Sequence, residues 1–389
     1  MKIGLLGHGT VGSGIYEIIN KRFKDLEIKK VLVKEPKERD LKIFTTNPDD
    51  IIFDNEIDLV IDALSDSKTS YELVKRAINS SKNVISCNKD MVCHHLHEIS
   101  SIAVKNNVTF SFDATVGAGI PWIRTIYDIK KINNIEYIYG NFNGTSNFIL
   151  DLMRKEGISF EDALNKSRLL RYHEPDYKDD ILGIDARNKL ALSAMVAFDI
   201  YLDPEKIPTF GIENIRSLDF GFFARNNLVV KPMAFARKLK DKISLFVAPT
   251  IYNKDEIRAN IDSNYNFLGF EGDILGRIEM IGAGSGKFQT ANGVISDILS
   301  MDEKKSRNYD KKEISVDNSI INNKFYFSFD QSSSKIERIL LPYVYSMYET
   351  NDSFIFSTRN ISLEQCLELV EKINETNEKY FFAVLHNGV

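Results

Sequence analysis

The chain of 389 residues is longer than one ordinary hydrophobic core supports, so we expect two or three domains. It is 43% hydrophobic and 27% charged, which is the balance of a soluble globular protein. The net charge of -5 gives no reason to expect a nucleic-acid partner, and no apolar stretch reaches the length of a membrane span. Three cysteines without framework spacing, and an N-terminus that runs straight into a strand pattern, predict a cytoplasmic, reduced protein with neither a signal peptide nor structural zinc.

A glycine-rich turn follows the first strand that the sequence predicts, Lys2–Leu6. It reads G-H-G-T-V-G-S-G, and isoleucines at helical spacing come directly after it. In such a turn the glycines permit a tight bend, the close approach of a pyrophosphate and close helix–strand packing, while the helix N-terminus faces the phosphates. This context favours a dinucleotide site over a plain tight turn. The predicted cofactor-binding residues are Gly7, Gly9, Thr10, Val11, Gly12 and Gly14.

Lys34 follows the second predicted strand, 28–33. It stands about twenty positions past the last glycine, where an acidic residue normally holds the ribose 2′-hydroxyl of NAD. A lysine there suits a 2′-phosphate, so we predict NADP as the cofactor. Glu35 comes next and keeps NAD open, and a solvated strand end is nearly as good an interpretation of Lys34.

Lys89 follows the predicted strand 83–86 in the run S-C-N-K. In an open α/β sheet, ligands bind at the carboxyl ends of the strands, so Lys89 is a candidate to lie beside a nicotinamide or a substrate. Most lysines after a strand are solvated charges, and that alternative stays open. The next helix carries His94, His95 and His97 without the i, i+4 spacing of a metal pair, so we interpret them as surface histidines.

Asp113 opens a loop of small residues that ends at Pro121, after the predicted strand 108–112. Such a loop can offer several backbone carbonyls to a cation, with Asp113 adding charge. From residue types alone, a close-packed turn is the better interpretation.

The stretch 172–189 concentrates charge and reads Y-H-E-P-D-Y-K-D-D-I-L-G-I-D-A-R-N-K. Asp185 and Lys189 are four residues apart at the start of a helical pattern, so they share one helix face. Taken alone, such a pair is more often a surface ion pair. It can also be a proton-transfer pair, because desolvation moves the pKa of a lysine toward a working value. The acidic residues of the stretch are Glu174, Asp176, Asp179, Asp180 and Asp185.

The remaining patterns indicate a second region of helices and strands and a small C-terminal unit. A polar loop, 140–147, follows a predicted strand and could bind a small polar substrate or simply bond to itself. Residues 228–281 alternate as strands, and 301–323 have the polar composition of a linker. After residue 324 the order β-α-β-β-α-β predicts a ferredoxin-like unit.

Taken together, these motifs resemble the homoserine dehydrogenase family in order and spacing. The resemblance covers residues 1 to about 305, and no single motif carries it. No aspartate-kinase domain precedes it, so the chain is similar to the monofunctional form. The motifs are G-H-G-T-V-G-S-G, S-C-N-K, D-A-T-V-G-A-G-I-P, G-N-F-N-G-T-S-N, E-P-D-Y-K-D-D-I-L-G-I-D-A-R-N-K and G-A-G-S-G-K-F-Q-T-A-N-G-V-I-S-D-I.

The resemblance implies an α/β enzyme that interconverts L-aspartate 4-semialdehyde and L-homoserine with NADP or NAD, in threonine, methionine and isoleucine biosynthesis. It also implies a homodimer or tetramer. The expected domains are a Rossmann domain at 1–135 plus about 285–305, an α+β substrate-binding and dimerisation domain at 136–284, a linker at 306–323 and an ACT-like domain at 324–389.

The resemblance also implies roles for individual residues. Asp185 and Lys189 would form the acid–base pair, and Lys89 would lie between nicotinamide and substrate. The substrate amino group would be held by Glu174 and Asp180, helped by Gly144, Thr145 and Tyr172. The sodium site of the family would fall on Asp113 and the carbonyls of Val116, Ala118 and Ile120.

Several positions depart from the family pattern. Asp113 stands where glutamate is usual, which shortens the reach toward a cation, and the loop 64–67 lacks the usual paired glycines. Asn188 precedes Lys189 without changing the spacing from Asp185. The C-terminal unit lacks the usual glycine-bearing turn after its first strand and has 329–335 instead, so we expect a packing or dimer-contact role and weak or absent threonine inhibition.

Two other functions compete with this one. A semialdehyde dehydrogenase that acylates phosphate through a cysteine needs an activated thiolate beside a histidine, and Cys87 has no accompanying histidine motif. A nucleotide-sensing module would not need Asp185, Lys189 and Lys89 together.

Overall fold

The computed structural model describes residues 1–35, 42–170, 177–301, 309, 314–350 and 353–386. The chain divides into two compact units. The first consists of residues 1–133, 191–204 and 282–313, and the second of 134–190, 205–281 and 314–389. Within the described ranges, no helix is both long and apolar enough to cross a membrane.

The N-terminal part alternates short strands and helices. Its strands are β1 (Lys2–Leu6), β2 (Glu27–Leu32), β3 (Phe44–Thr45), β4 (Leu59–Asp62), β5 (Asn83–Ser86) and β6 (Phe110–Ser111). Its helices are α1 (Thr10–Arg22), α2 (Asp49–Ile52), α3 (Ser67–Asn79), α4 (Lys89–Lys105) and α5 (Trp122–Ile129), with a 3-10 turn at Asp113–Thr115.

The rest of the chain begins with a strand, continues through helices and then forms long strands. Its strands are β7 (Ile135–Asn141), β8 (Leu228–Leu239), β9 (Lys242–Asn253), β10 (Tyr265–Gly272), β11 (Gly276–Ala283), β12 (Ser315–Val316), β13 (Asn322–Phe329), β14 (Val344–Thr350), β15 (Ser353–Thr358), β16 (Ile361–Ser362) and β17 (Tyr380–Leu385). Its helices are α6 (Gly144–Glu156), α7 (Phe160–Leu169), α8 (Lys178–Ile181), α9 (Ile184–Phe198), α10 (Ser217–Arg225), α11 (Lys287–Leu299), α12 (Ser334–Leu340) and α13 (Leu363–Asn374).

The first unit is built on a parallel sheet with the strand order β3-β2-β1-β4-β5-β6. Apart from Lys2 and Asp62, the central strands β1 and β4 are apolar and buried, as expected for a parallel sheet covered on both faces. Strand order reverses next to β1, so the loops after β1 and β4 open at the switch point where doubly wound sheets bind ligands. The predicted N-terminal α/β domain with a parallel sheet is therefore confirmed.

Helix α11 packs onto the first unit although it lies far along the chain. Its Val294 and Ile298 share a core with Ile3 and Leu5 of β1 and Ile15 of α1. The contact with α1 is close, because a Cβ built on Gly14 would come within 2.7 Å of the Lys287 carbonyl oxygen. Lys287 also forms an ion pair with Glu17 of α1 at 2.9 Å.

The second unit is built on a mixed sheet. In the described part of the chain its strand order is β11-β10-β7-β8-β9-β17-β13-β15-β14. Neighbours from β10 to β9 and from β17 to β14 are antiparallel, whereas β17 runs parallel to β9. Strand β13 shows how both faces are used: Phe325 and Phe327 belong to the core that includes α12 and α13, and Tyr326 to the core that includes α6 and α10. This mixed-sheet domain agrees with the expected α+β region.

The C-terminal segment is joined to this sheet rather than standing apart from it. Its elements follow one another as β13, α12, β14, β15, α13 and β17, apart from the short β16. Strand β17 connects it to β9 through the pairs Val384–Thr250 and Leu385–Ile251. A buried hydrogen bond of 2.9 Å from Tyr326 to Asp219 of α10 adds a second attachment.

The expected loop 140–147 is instead the junction of a strand and a helix. Strand β7 continues to Asn141, and α6 begins at Gly144. Asn143 caps the helix, because its side-chain oxygen accepts a hydrogen bond from the Ser146 amide at 2.8 Å. The polar residues of 140–147 resemble a loop in the sequence, because helix caps and loops favour the same residue types.

Candidate active site

The glycine-rich turn leaves open space on one side and is closely packed on the other. Gly7 has φ +101°, and a Cβ there would come within 2.7 Å of the Ala63 carbonyl oxygen. A Cβ on Gly12 would clash with the Gly7 carbonyl. By contrast, a Cβ on Gly9 would meet no atom within 4 Å. Gly9 is also the N-cap of α1 and provides no side-chain cap, so a phosphate can approach the first helical turn with Thr10 and Val11. The turn therefore fits a dinucleotide.

Lys34 lies exposed after β2, at the carboxyl edge of the parallel sheet. Lys34 is close to Asp66 in the loop after β4. The pKa of Asp66 is lowered mainly by hydrogen bonds from Thr69, and the charges of Lys68 and Lys34 lower it further. Glu35 beside it is exposed as well. An exposed cation at this edge is able to meet a ribose phosphate.

Lys89 is the first residue of α4 and follows its N-cap, Asn88. Its side chain is 19% exposed and forms an ion pair with Asp90, with the Nζ 3.4 Å from Oδ1. Lys89 therefore starts a helix at the carboxyl end of β5, the edge at which ligands bind in open α/β sheets.

Asp113 is buried and engaged in hydrogen bonds with the protein. Its Oδ1 accepts from the backbone amide of Arg124 at 2.8 Å, which places a negative charge in the first turn of α5. Its own amide donates to Asp297 of α11 at 2.9 Å. Among the proposed carbonyl ligands, that of Ile120 accepts the Trp122 amide at 2.7 Å, and Val116 and Ala118 are buried. Among the residues that the structure describes, no group of three or more His, Cys, Asp or Glu side chains could hold a metal ion.

Asp185 and Lys189 form a buried ion pair on α9. Lys189 Nζ lies 2.8 Å from Asp185 Oδ2, and the two side chains are 13% and 11% exposed. Lys189 also donates to the carbonyl oxygen of Phe142 at 2.8 Å. The same carbonyl accepts from the Asn266 amide at 3.1 Å, so the ammonium is held by a carboxylate and a carbonyl that is itself fixed.

Asn143 connects the two carboxyl groups that the sequence singled out. Its side-chain nitrogen donates to Asp180 Oδ1 at 2.5 Å and to Asp185 Oδ2 at 2.8 Å. Thr145 adds a hydrogen bond to the Asp180 side chain, and Gly144 lets α6 approach Asn264, whose carbonyl oxygen would be 2.6 Å from a Cβ on Gly144. The structure thus brings the described second-unit candidates into one cluster around Asn143: Gly144, Thr145, Asp180, Asp185 and Lys189.

The electrostatics of this cluster favour a proton or a cation near Asp180. Burial raises the pKa of the Asp180 carboxyl, and the negative charge of Asp185 raises it further. The hydrogen bonds from Asn143 and Thr145 and the charge of Lys189 lower it but do not compensate. A ligand ammonium would stabilise the ionised form of Asp180 in the same way.

The sequence missed Asn143, the Phe142 carbonyl and Asn266. Asn143 lies within the quoted motif G-N-F-N-G-T-S-N, and its position at the carboxyl end of a strand was the available signal. Asn266 comes from β10, far along the chain, and no local pattern marks it. Two predicted substrate ligands, Tyr172 and Glu174, lie outside the described residues.

Comparison with known proteins identifies the family. The family model described as "Homoserine dehydrogenase, NAD binding domain" matches residues 7–113, and the model described as "Homoserine dehydrogenase" matches residues 121–299. Together they cover more than half of the chain. The chain belongs to the homoserine dehydrogenase family.

Relatives and solved structures agree with this assignment. A homoserine dehydrogenase of Pseudomonas aeruginosa is 32% identical, over 77% of this chain and 71% of its own length. The structure of a homoserine dehydrogenase from Thiobacillus denitrificans superposes with a TM-score of 0.89 at 27% identity, covering 99% of this chain and 98% of that one. A hyperthermophilic archaeal homoserine dehydrogenase in complex with NADPH has a TM-score of 0.68 at 25% identity, covering 79% of this chain and 99% of that one.

The comparisons thereby confirm the predicted reaction. The protein is an NAD(P)-dependent homoserine dehydrogenase, an oxidoreductase that acts on a CH–OH group in amino-acid biosynthesis. A nicotinamide dinucleotide is its cofactor.

The pKa of Asp180 predicts a stability effect in this homoserine dehydrogenase. Because that pKa is raised, the folded state holds the proton more tightly than the unfolded state. Ionisation of Asp180 therefore costs stability as pH rises from the ordinary aspartate value through the raised one, and the cost is complete above it. We expect Asp180→Asn to unfold at higher urea concentration than the unsubstituted protein at about pH 7, and this gain should disappear at about pH 3.

Asp255→Asn is the matched control, because it makes the same charge change at an exposed turn residue of the same unit. It should leave the urea midpoint nearly unchanged at both pH values. An Asp180→Asn variant that is less stable at neutral pH would contradict the electrostatic interpretation.

Proposed function

We propose that the chain interconverts L-aspartate 4-semialdehyde and L-homoserine with Lys189 as the proton donor and acceptor. The buried Lys189–Asp185 pair is the observation that supports this proposal. An ammonium at 13% exposure, held by a carboxylate and by the Phe142 carbonyl, has a fixed direction and little competing water. Those are the properties that general acid–base catalysis requires.

In the reduction, Lys189 Nζ gives a proton to the C4 oxygen of the semialdehyde. A nicotinamide bound at the glycine-rich turn would supply the hydride that C4 receives. Asp185 remains ionised and stabilises the ammonium, while the positive charge of Lys189 stabilises the developing alkoxide. In the oxidation, Lys189 accepts the hydroxyl proton of homoserine.

Asp180 binds the amino group of the substrate in this proposal. Its half-buried carboxyl, fixed by Asn143 and Thr145, gains a compensating charge when an ammonium arrives. The resemblance adds Glu174, Tyr172 and Gly144 to the substrate contacts.

Lys89 lies between the nicotinamide and the substrate, again by resemblance. Its place after β5 supports that role, since the carboxyl ends of parallel strands face the ligand. The competing thiol chemistry has little support, because burial raises the pKa of Cys87 and its Sγ donates to the Asp62 carbonyl oxygen.

NADP is the proposed cofactor, with NAD as the alternative. Gly7, Gly9, Thr10, Val11, Gly12 and Gly14 would hold the pyrophosphate. Exposed Lys34 would meet the 2′-phosphate, and Glu35 weakens that preference.

A structural sodium ion is a further proposal. Asp113 and the carbonyls of Val116, Ala118 and Ile120 would hold it. Sodium would have to share the Asp113 carboxylate with the Arg124 amide and the Ile120 carbonyl with the Trp122 amide. Aspartate is also shorter than the usual glutamate, so we expect weak sodium binding.

Residues 324–389 form an ACT-like unit whose main role is packing, in this proposal. The polar side chains of its first turn already have protein partners: Ser332 donates to Glu349, Ser333 donates to Glu378, and Asp330 pairs with Arg216. Such a turn is not prepared for the carboxylate and ammonium of an amino acid. Strand β14, at the end of the sheet, exposes Tyr345 and Met347, which suits a contact between copies of the chain. We therefore also propose a homodimer or tetramer, located in the cytoplasm.

Substitution of Lys189 tests the proposed chemistry. Lys189→Ala should lower kcat by about 10²–10⁴-fold, because the proton donor is lost. The affinity for NADPH, followed by its fluorescence, should change little. Lys178→Ala, an exposed charge on α8, serves as the control and should retain normal turnover. Near-normal turnover of a folded Lys189→Ala variant would rule out this assignment.

Substitution of Lys34 tests the cofactor preference. A hydrogen bond to a charged group contributes about 1.5–3 kcal/mol, so Lys34→Ala should weaken NADPH binding by roughly 10-fold or more. NADH binding should be nearly unchanged, because NADH has no 2′-phosphate. Lys24→Ala removes an exposed charge elsewhere and should affect neither cofactor. Equal losses for both cofactors would make Lys34 a solvated strand end.

Threonine inhibition tests the role of the C-terminal unit. Millimolar L-threonine should leave initial rates nearly unchanged, because Asp330, Ser332 and Ser333 of the turn already have protein partners. Deletion of 324–389 should lower stability or change assembly more than it changes the chemistry, since β9 would lose its neighbour β17. Strong threonine inhibition that disappears on deletion would refute the packing role.

A further inference from the structure

A closed ring of hydrogen bonds lies at the carboxyl ends of β4 and β5. Asp62 Oδ2 accepts from the Ser86 hydroxyl at 2.7 Å, and Ser86 Oγ accepts from the Asn88 amide at 3.1 Å. The Asn88 side-chain nitrogen donates to the Leu64 carbonyl oxygen at 3.1 Å. The backbone amide of Leu64 donates to Asp62 Oδ1 at 3.2 Å, and this hydrogen bond closes the ring. We call these four residues, Asp62, Leu64, Ser86 and Asn88, the Asp62 ring.

The ring determines where helix α4 begins. The side-chain oxygen of Asn88 caps α4 by accepting the Met91 amide at 2.9 Å, and Lys89 is the first residue of that helix. Asn88 therefore has both ends of its amide fixed, one by the helix and one by the loop after β4. The direction in which Lys89 leaves the backbone depends on this anchor.

Burial of the ring is difficult to explain by stability alone. Asp62 and Ser86 are fully buried and Asn88 is 6% exposed, whereas the preceding residues of β4 are apolar. Within the described ranges Asp62 has no ion pair, and its partners are the hydroxyls of Ser70 and Ser86 and the Leu64 amide. Burying a carboxyl without a counter-charge costs free energy even when it is hydrogen-bonded. An apolar residue would stabilise the strand end more simply.

From this geometry we infer that Asp62 is a positioning residue for the dehydrogenase reaction. It acts through Ser86 and Asn88 and holds Lys89 in the direction that hydride transfer requires. The inference rests on the role proposed for Lys89. Its chemical reason is that a carboxyl offers acceptors on both oxygens, so one side chain can fix the strand end, the next loop and the helix start together.

The two serines that donate to Asp62 provide a matched comparison. Ser70 lies on α3 and Ser86 at the end of β5, and both hydroxyls are fully buried and donate to the same Oδ2 atom. Of the two, Ser86 alone also accepts a hydrogen bond from the backbone amide of Asn88, the residue before Lys89. Ser70→Ala and Ser86→Ala should therefore lower the melting temperature by similar amounts, while only Ser86→Ala should disturb Lys89.

The test measures kcat, the KM for NADPH and the primary isotope effect on kcat with NADPH deuterated at the transferred hydrogen. Ser86→Ala should lower kcat by about 10-fold or more, since misplacement of a catalytic group by about 1 Å can cost 10²-fold. Its KM for NADPH should change little, and its isotope effect should rise because hydride transfer becomes rate-limiting. Ser70→Ala should keep the kcat and isotope effect of the unsubstituted enzyme. Equal kcat and isotope effects in the two variants would overturn the inference.

Two further variants separate the possible failures. If Lys89→Ala is folded and fully active, the proposed role of Lys89 is wrong, and the inference falls with it. If Lys89→Ala is impaired while Ser86→Ala is not, the inference alone is wrong. Should Ser86→Ala fail to fold, Asn88→Asp replaces it, because aspartate keeps the cap on Met91 and removes the donor to Leu64. The same fall in kcat and rise in isotope effect are expected, and their absence would overturn the inference.

Discussion

The buried pair of Lys189 and Asp185 is the interaction on which the polar cluster of the second unit depends. Two charges at about one-tenth exposure are expensive to remove from water, and a buried ion pair often contributes less stability than apolar residues of the same volume. The surrounding polar groups reduce this cost, because the Phe142 carbonyl and the Asn143 amide each bind one member of the pair. Such an arrangement is better explained by reactivity than by stability.

Asn143 shows how one side chain serves both structure and site. Its oxygen caps α6, and its nitrogen lies between Asp180 and Asp185. Capping fixes the orientation of the amide. The nitrogen is therefore held between the two carboxylates, whose negative charges would repel each other more strongly without a shared donor. The pKa of Asp180 is still raised, mainly by burial and further by the negative charge of Asp185. The cluster is therefore prepared for a positive ligand.

In the parallel sheet of the first unit, single elements likewise serve both the fold and a candidate site. Strand ends at one edge of the sheet provide the tight turn at Gly7, the buried carboxyl of Asp62 and the helix that starts at Lys89. Since neighbouring parallel strands end at the same edge, residues from distant parts of the chain come together without long loops. In the second unit, the parallel pairing of β17 with β9 extends one sheet into the C-terminal segment, so that segment shares a hydrophobic core with β8 and β9.

The sequence by itself determined the parts of the protein that local rules control. The glycine turn after Lys2–Leu6 and the i, i+4 spacing of Asp185 and Lys189 express backbone geometry that a short stretch fixes completely. Tertiary structure decided the rest. Only the fold brought Asn266 and the Phe142 carbonyl to the lysine, turned 140–147 from an expected loop into a capped helix start, and closed the Asp62 ring across β4 and β5. The cap of Asn143 is a local contact, but its residue types are also those of a loop. The contacts of Asn266 and the bonds between β4 and β5 join residues far apart in the chain, so they depend on strand order and register, which no local pattern encodes.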